Sequence, residues 1–300
     1  MSDSVQTKLP ANAMKKNIRS LFLFAASLAA APLLVCAQNH YPAGAEGIRA
    51  ASLPPPGLYF RDYSFFYWAD KLPGGPSNFD VFAYVNAPRL IWMTEHKILG
   101  ADYGMDVIVP FGYTQLTAGG YDDSEFGLGD VQIEPVLLSW HKPQWDFALA
   151  YGIWAPTGKS AAPPTARLGK GFWSHMFTAG ATWYPDTNKT WSASVLSRYE
   201  IHTQSDDVPA TPGDTFTLEF GLAKQVRPGW DFGLVGYWQE QVTDGKNDGT
   251  PDERILALGP ELAGRCPITG MALSLRYLHE FEARQRPEGH TVTLTLTHRF

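Results

Sequence analysis

The sequence is short of cysteine, of charge and of long apolar runs, and each shortage removes a class of protein. Its 300 residues hold two cysteines, Cys36 and Cys266. Export with cleavage after Ala37, argued below, leaves only Cys266, so a disulfide-stapled scaffold is excluded. Charged residues make up 18% of the chain and the formal net charge is −6. An acidic chain without basic clusters has nothing to neutralise a phosphate backbone, and nucleic acid is excluded as a partner. The longest apolar run, Leu21 to Val35, falls short of the ~20 residues that a spanning helix needs. No later run approaches it.

Site motifs are missing as well. Ala155-Pro-Thr-Gly-Lys-Ser160 looks like the end of a phosphate-binding loop, but Ile153 stands where the first glycine is required. Asp244 to Gly249 reads like a calcium loop with Lys246 at a ligand position. Ser174 and His175 are neighbours on a strand and face opposite ways, so they cannot meet as nucleophile and base. Asp122-Asp123 and Asp206-Asp207 have no histidine beside them in a telling pattern. The sequence therefore predicts no enzyme, no cofactor and no metal site, with an outer-membrane hydrolase kept as the enzymatic alternative.

What is present begins with an export signal. Lys15, Lys16 and Arg19 precede the apolar run, and Val35-Cys36-Ala37 supplies small residues for cleavage. This is the layout of a secretory signal peptide over residues 1–37, with Met14, directly before Lys15, as an alternative start. Residues 38–57 form a Pro/Gly-rich segment ending in Pro54-Pro55-Pro56-Gly57. Triple proline favours an extended segment and blocks helix and sheet. A periplasmic tail and a segment folded into a barrel mouth are both open at this point.

Aromatics reach 13%, which suits a transmembrane barrel, where alternate residues meet lipid and rings gather at the interfaces. The last twelve residues, Gly289 to Phe300, alternate with Val292, Leu294, Leu296 and Phe300 on one face and Thr291, Thr293, Thr295 and Thr297 on the other. That is a half-apolar strand. The same habit predicts twelve strands: 58–69, 80–93, 98–111, 129–140, 145–155, 172–184, 190–203, 215–226, 230–242, 254–264, 271–282 and 291–300. Connections alternate between short turns and long Gly/Pro/Asp-rich loops such as 112–128 and 156–171, the asymmetry of outer-membrane barrels. Trp140, Trp145, Trp183, Trp191 and Trp230 gather beside the short turns, where an interfacial girdle belongs. The predicted fold is all-β: a transmembrane antiparallel up-and-down barrel of about twelve strands over 58–300, in the bacterial outer membrane.

A charge facing lipid at mid-membrane costs about 2–4 kcal/mol for a base, so charged strand residues are expected to line the lumen. By phase these are Asp102, Asp106, Asp130, Glu134, Arg198, Glu200, Glu219, Glu261, Arg276 and Glu280. Acids outnumber bases, which predicts a cation-tolerant interior.

Several separated stretches carry a resemblance. They are His40 to Gly47, Leu53 to Tyr63, Gly129-Asp130 with Pro135, Leu138 and Trp140, Ala155 to Gly158, Leu168 to Trp173, Leu234 to Asp244, and Tyr277 to Gly289. Together they resemble the phenol-degradation meta-pathway family, the SphA-like outer-membrane transporters. The terminal Phe300 is similar to the residue read by the barrel-assembly machinery. The resemblance implies an uptake channel for small hydrophobic or aromatic, phenol-like solutes, with outer-membrane lipids and the assembly machinery as partners. A structural or adhesin-like barrel without transport is the alternative.

Overall fold

A computed structural model describes residues 39–247 and 253–300; the signal peptide expected over 1–37 lies outside the described residues. Among the described residues no helix forms. The strands are β1 (Gly57–Lys71), β2 (Asp80–Ile98), β3 (Ala101–Ile108), β4 (Phe111–Ala118), β5 (Tyr121–Leu128), β6 (Val131–His141) and β7 (Trp145–Ala155). They continue as β8 (Ser174–Trp183), β9 (Trp191–His202), β10 (Thr215–Arg227), β11 (Trp230–Gln241), β12 (Arg254–Arg265), β13 (Ala272–Arg284) and β14 (Glu288–Arg299).

All pairings are antiparallel, and β1 pairs with both β14 and β2, so the sheet closes on itself. Closure leaves no edge around the membrane-spanning ring, which the bilayer demands because lipid offers backbone groups no partner. The fourteen segments occupy twelve wall positions. The inner half of β2 pairs with β3 and its outer half with β4. β3 and β4 are thus one wall strand interrupted at Val109-Pro110, where proline has no N–H to donate. β6 pairs with β3 and β5 with β4, giving a second wall strand interrupted at Gly129-Asp130.

Residues 112–128, expected as a loop, form instead the hairpin β4–β5 that prolongs the wall outward, turning at Gly119 with φ of 64°. Its polar residues hide the apolar alternation by which a strand is recognised. The first inner turn also moves. It was expected at Thr94 to Lys97, but β2 runs to Ile98 and reverses on Leu99-Gly100, both at positive φ.

Outward apolar side chains such as Leu90, Val195, Leu222, Leu234, Leu275 and Leu294 are 39–56% exposed to solvent in the isolated chain. An apolar belt of this extent needs lipid against it. Trp145 and Trp183 sit opposite each other at the inner rim with ring centroids 6.1 Å apart. In β14, Thr293 and Thr295 are buried inside while Leu294 faces out. Phe300 donates its N–H to Leu58 O at 3.0 Å, fastening the chain's end to β1. Asp62 breaks the facing rule. It shares its parity with Phe60, Phe66 and Trp68 on the lipid side, where Asn86 Nδ2 donates to it at 2.9 Å and to Ser64 Oγ at 3.2 Å.

Residues 39–56 run inside the ring as a plug. Ala43 and Ile48 pack against Val235, Tyr237 and Leu278. Tyr41 and Ala45 meet Trp154 and Met176, and Ala51 meets Ala148 and Leu196. Contacts with walls this far apart in sequence place the segment in the lumen. Small residues permit the close approach: a Cβ on Gly47 would stand 1.7 Å from Glu261 Oε2.

Candidate functional site

The inward carboxylates receive the plug's hydrogen-bond donors. Glu200 accepts the backbone N–H of His40 at 3.3 Å and of Tyr41 at 3.2 Å. Glu219 accepts Tyr41 Oη at 2.9 Å and the Glu46 N–H at 3.1 Å. Glu261 accepts the Ile48 N–H at 2.8 Å. Arg276 bonds Glu261 through Nε at 3.0 Å and donates to Gly44 O. Bonds to charged acceptors contribute about 1.5–3 kcal/mol each, so a segment too small to hold a fold of its own is docked at several points.

All ten residues singled out by strand phase are buried in the interior. Their neighbours change the reading of the charge. Arg89, which phase reasoning missed, bonds Asp106 at 2.9 Å and Glu134 at 2.8 Å. Arg198 pairs with Glu219 at 2.6 Å and lies 3.9 Å over the Tyr41 ring. Glu280 accepts Tyr67 Oη at 2.9 Å and bonds Tyr237, while Arg286 bonds Gln239 at 2.5 Å. Asp102 is held by Lys97 at the inner end. With Arg61, Arg89 and Arg286 added to the bases, the expected cation-tolerant wall becomes a largely self-neutralised one. The missed arginines lie in β1, β2 and the turn after β13; Arg61 shares its parity with buried Tyr59 and Tyr63 and Arg89 with buried Ala87 and Ile91, whereas Arg286 lies in a turn and has no parity.

The plug leaves a cavity on each side. The outer one has a volume of about 360 Å³ and is walled by Phe65, Val81, Val85, Ile108, Pro110 and Leu168, with tyrosine hydroxyls between them. It reaches Gly129 and Asp130, where the wall strand is interrupted. The inner one, about 400 Å³, is bounded by Ile48, Arg61, Ala263, Leu273, Arg276 and Thr297. Among the described residues no group of three or more His, Cys, Asp or Glu is arranged to hold a metal.

A second cluster was invisible to the sequence. Ser174 Oγ lies 2.7 Å from His40 Nδ1 and 2.6 Å from His202 Nδ1, and His40 Nε2 lies 3.0 Å from Asp130 Oδ2. One hydroxyl proton serves one nitrogen, so with His40 giving its Nε2 proton to Asp130, Ser174 donates to His40 and accepts from His202. These are the residue types of a hydrolase triad. Ser174 is fully buried, however, and the His40 ring stacks on Trp154 and meets Phe172 edge-on. The cluster fastens the plug. Adjacency in a strand rules out Ser174 with His175 but says nothing of His40, which lies 134 residues away.

A closed, lipid-belted barrel holding a plug between two chambers defines the class: an outer-membrane channel fold. The model of the family described as "Putative MetA-pathway of phenol degradation" matches residues 69–296, and the chain belongs to that family. Among solved structures, the COG4313 outer membrane channel from Pseudomonas putida F1 aligns with a TM-score of 0.73 at 14% identity, over 83% of this chain and 97% of that one. The β domain of the Bordetella autotransporter BrkA aligns at 0.53 and 11% identity, over 82% and 100%. The translocator domain of NalP from Neisseria meningitidis aligns at 0.50 and 8% identity, over 97% and 98%. At such identities the likeness concerns the fold. No curated protein sequence matches the chain.

Proposed function

We propose that the chain is exported to the bacterial outer membrane and there admits small hydrophobic or aromatic, phenol-like molecules. The observation that carries this reading is the outer chamber, an apolar cavity behind an interrupted stretch of wall. Its volume lies in the range of small-molecule sites, and around it Arg89 is paired with Glu134, Arg198 with Glu219, and Glu280 is bonded by two tyrosines, so an uncharged apolar solute enters without breaking an ion pair. Movement is by diffusion down a gradient, with no nucleotide or metal. The family's link to phenol degradation supports the solute class. Purified protein in liposomes should accelerate entry of a phenolic compound; a rate equal to that of empty liposomes sinks the reading. The docked plug favours a second reading, a structural barrel without transport. A barrel of that kind stays electrically silent in a planar bilayer and passes no phenol.

A further inference from the structure

The two chambers have three lining residues in common: Ala45, Glu46 and Tyr63. Arg89 borders the outer chamber and Arg61 the inner one. Glu46 joins them. Its Oε1 lies 3.2 Å from Arg89 Nη1 and its Oε2 lies 3.2 Å from Arg61 Nη1, while Tyr63 Oη donates to it at 2.7 Å. Arg61 also reaches the Tyr63 hydroxyl at 3.4 Å. One plug carboxylate is therefore strapped to β1 and β2 across the partition between the chambers.

We propose that Glu46 is the residue that decides what crosses the lumen, a bar of one carboxylate and two guanidiniums that restricts the passage of ions and water-soluble molecules to a small conductance. This rests on the channel reading of the same lumen. The bar is made of side chains on rigid strands and one plug residue, so it opens by rotation of Glu46 and leaves the other plug bonds, to Glu200, Glu219 and Glu261, in place. When the carboxylate is removed Arg89 keeps Asp106 and Glu134 but Arg61 loses its carboxylate partner, so the opened passage gains a positive charge at Arg61. Charge selectivity and width are therefore set at one position.

The test is single-channel recording of the full mature barrel in planar bilayers. Glu46→Ala should raise conductance severalfold over the wild type. Glu46→Gln leaves Arg61 without its carboxylate partner while Arg89 keeps Asp106 and Glu134, and in a salt gradient it should shift the reversal potential toward the anion side. Tyr63→Phe, which removes the hydroxyl's bonds to Glu46, Arg61 and Arg89 but no charge, should lengthen open events without moving the reversal potential. Ser52→Ala cuts the plug's 2.9 Å bond to Tyr184 away from both chambers and should leave conductance as in the wild type. Circular dichroism of each variant checks that the barrel is folded. Wild-type conductance and reversal potential in both Glu46 variants overturn the proposal, as does an equal rise in Ser52→Ala, which would mean that any loosening of the plug suffices. Phenol entry into wild-type liposomes is scored apart: if it fails while Glu46→Ala conducts, the solute reading falls and the bar stands.

Discussion

His40 Nε2 sits 3.0 Å from Asp130 Oδ2, so one of the first residues of the plug is tied to the point where a wall strand is interrupted. Asp130 also accepts the N–H groups of Gly158 at 2.9 Å and Lys170 at 2.7 Å. The plug, the wall break and the loop after β7 thus share one carboxylate.

Docking should therefore weaken in acid. Burial pushes the His40 imidazole below its ordinary value, and neighbouring Lys170 adds to this, while Asp130 opposes it. Glu200 accepts the His40 backbone N–H, and the His202 ring is 6.5 Å away. A base with a depressed docked value binds its proton more readily when undocked. The contribution of His40 is complete above the free-imidazole value of ~6.5 and is lost as pH falls through the docked value. Protease cleavage within residues 39–57 should quicken between pH 7.5 and pH 4.5, and His40→Gln should flatten that dependence. Equal protection of the wild type at both values would refute it.

Ser174→Ala removes the hydroxyl shared by His40 and His202. Two buried ring nitrogens lose a partner, at a cost of about 1–3 kcal/mol for each one stranded. The expected result is a lower thermal midpoint with the barrel's circular dichroism retained. A midpoint matching the wild type would show that the cluster holds nothing.

Gly47→Ala places a methyl 1.7 Å from Glu261 Oε2 and 2.6 Å from Arg276 Nη2. These groups are bonded to each other and buried, so the plug must shift. Overpacking of this kind costs about 1–3 kcal/mol. Faster exchange of the Ile48 amide, which Glu261 accepts, is the sign to look for. Unchanged protection there would contradict the close approach.

Asp62 faces lipid with Asn86 and Ser64 around it. Polar groups at that depth are destabilising, acids less than the ~2–4 kcal/mol of bases. The double variant Asp62→Leu, Asn86→Val should resist urea better than the wild type in lipid vesicles. A less stable variant would mean that the cluster meets something other than acyl chains.

Deleting Phe300 should lower the amount of barrel assembled in cells while leaving refolding into detergent near the wild-type yield. The residue is 69% exposed one position past the end of β14, so it contributes little packing within the chain. An equal loss in both settings would assign it to stability.

Much of the wall was legible because a strand between lipid and lumen must alternate. Alternation alone gives β7 its observed bounds and puts Glu134, Arg198 and Arg276 on the buried face. Legibility failed where that constraint lapses. The β4–β5 hairpin carries polar residues such as Asp122, Ser124 and Glu125 in its outer strand, so no apolar period marks it. Strand ends are expected at Phe111 and Gly129, although the pairing continues between them through β4 and β5.

The sequence by itself determined the barrel class, the parity of its walls and the direction of its buried charges, because a two-residue period in contact with lipid is a local property. Only the tertiary structure decided what those charges hold. Glu200, Glu219 and Glu261 meet the plug 160, 173 and 213 residues away, at His40, Glu46 and Ile48. Contacts at that distance follow from closure of the ring around a chain segment, and no local pattern records them.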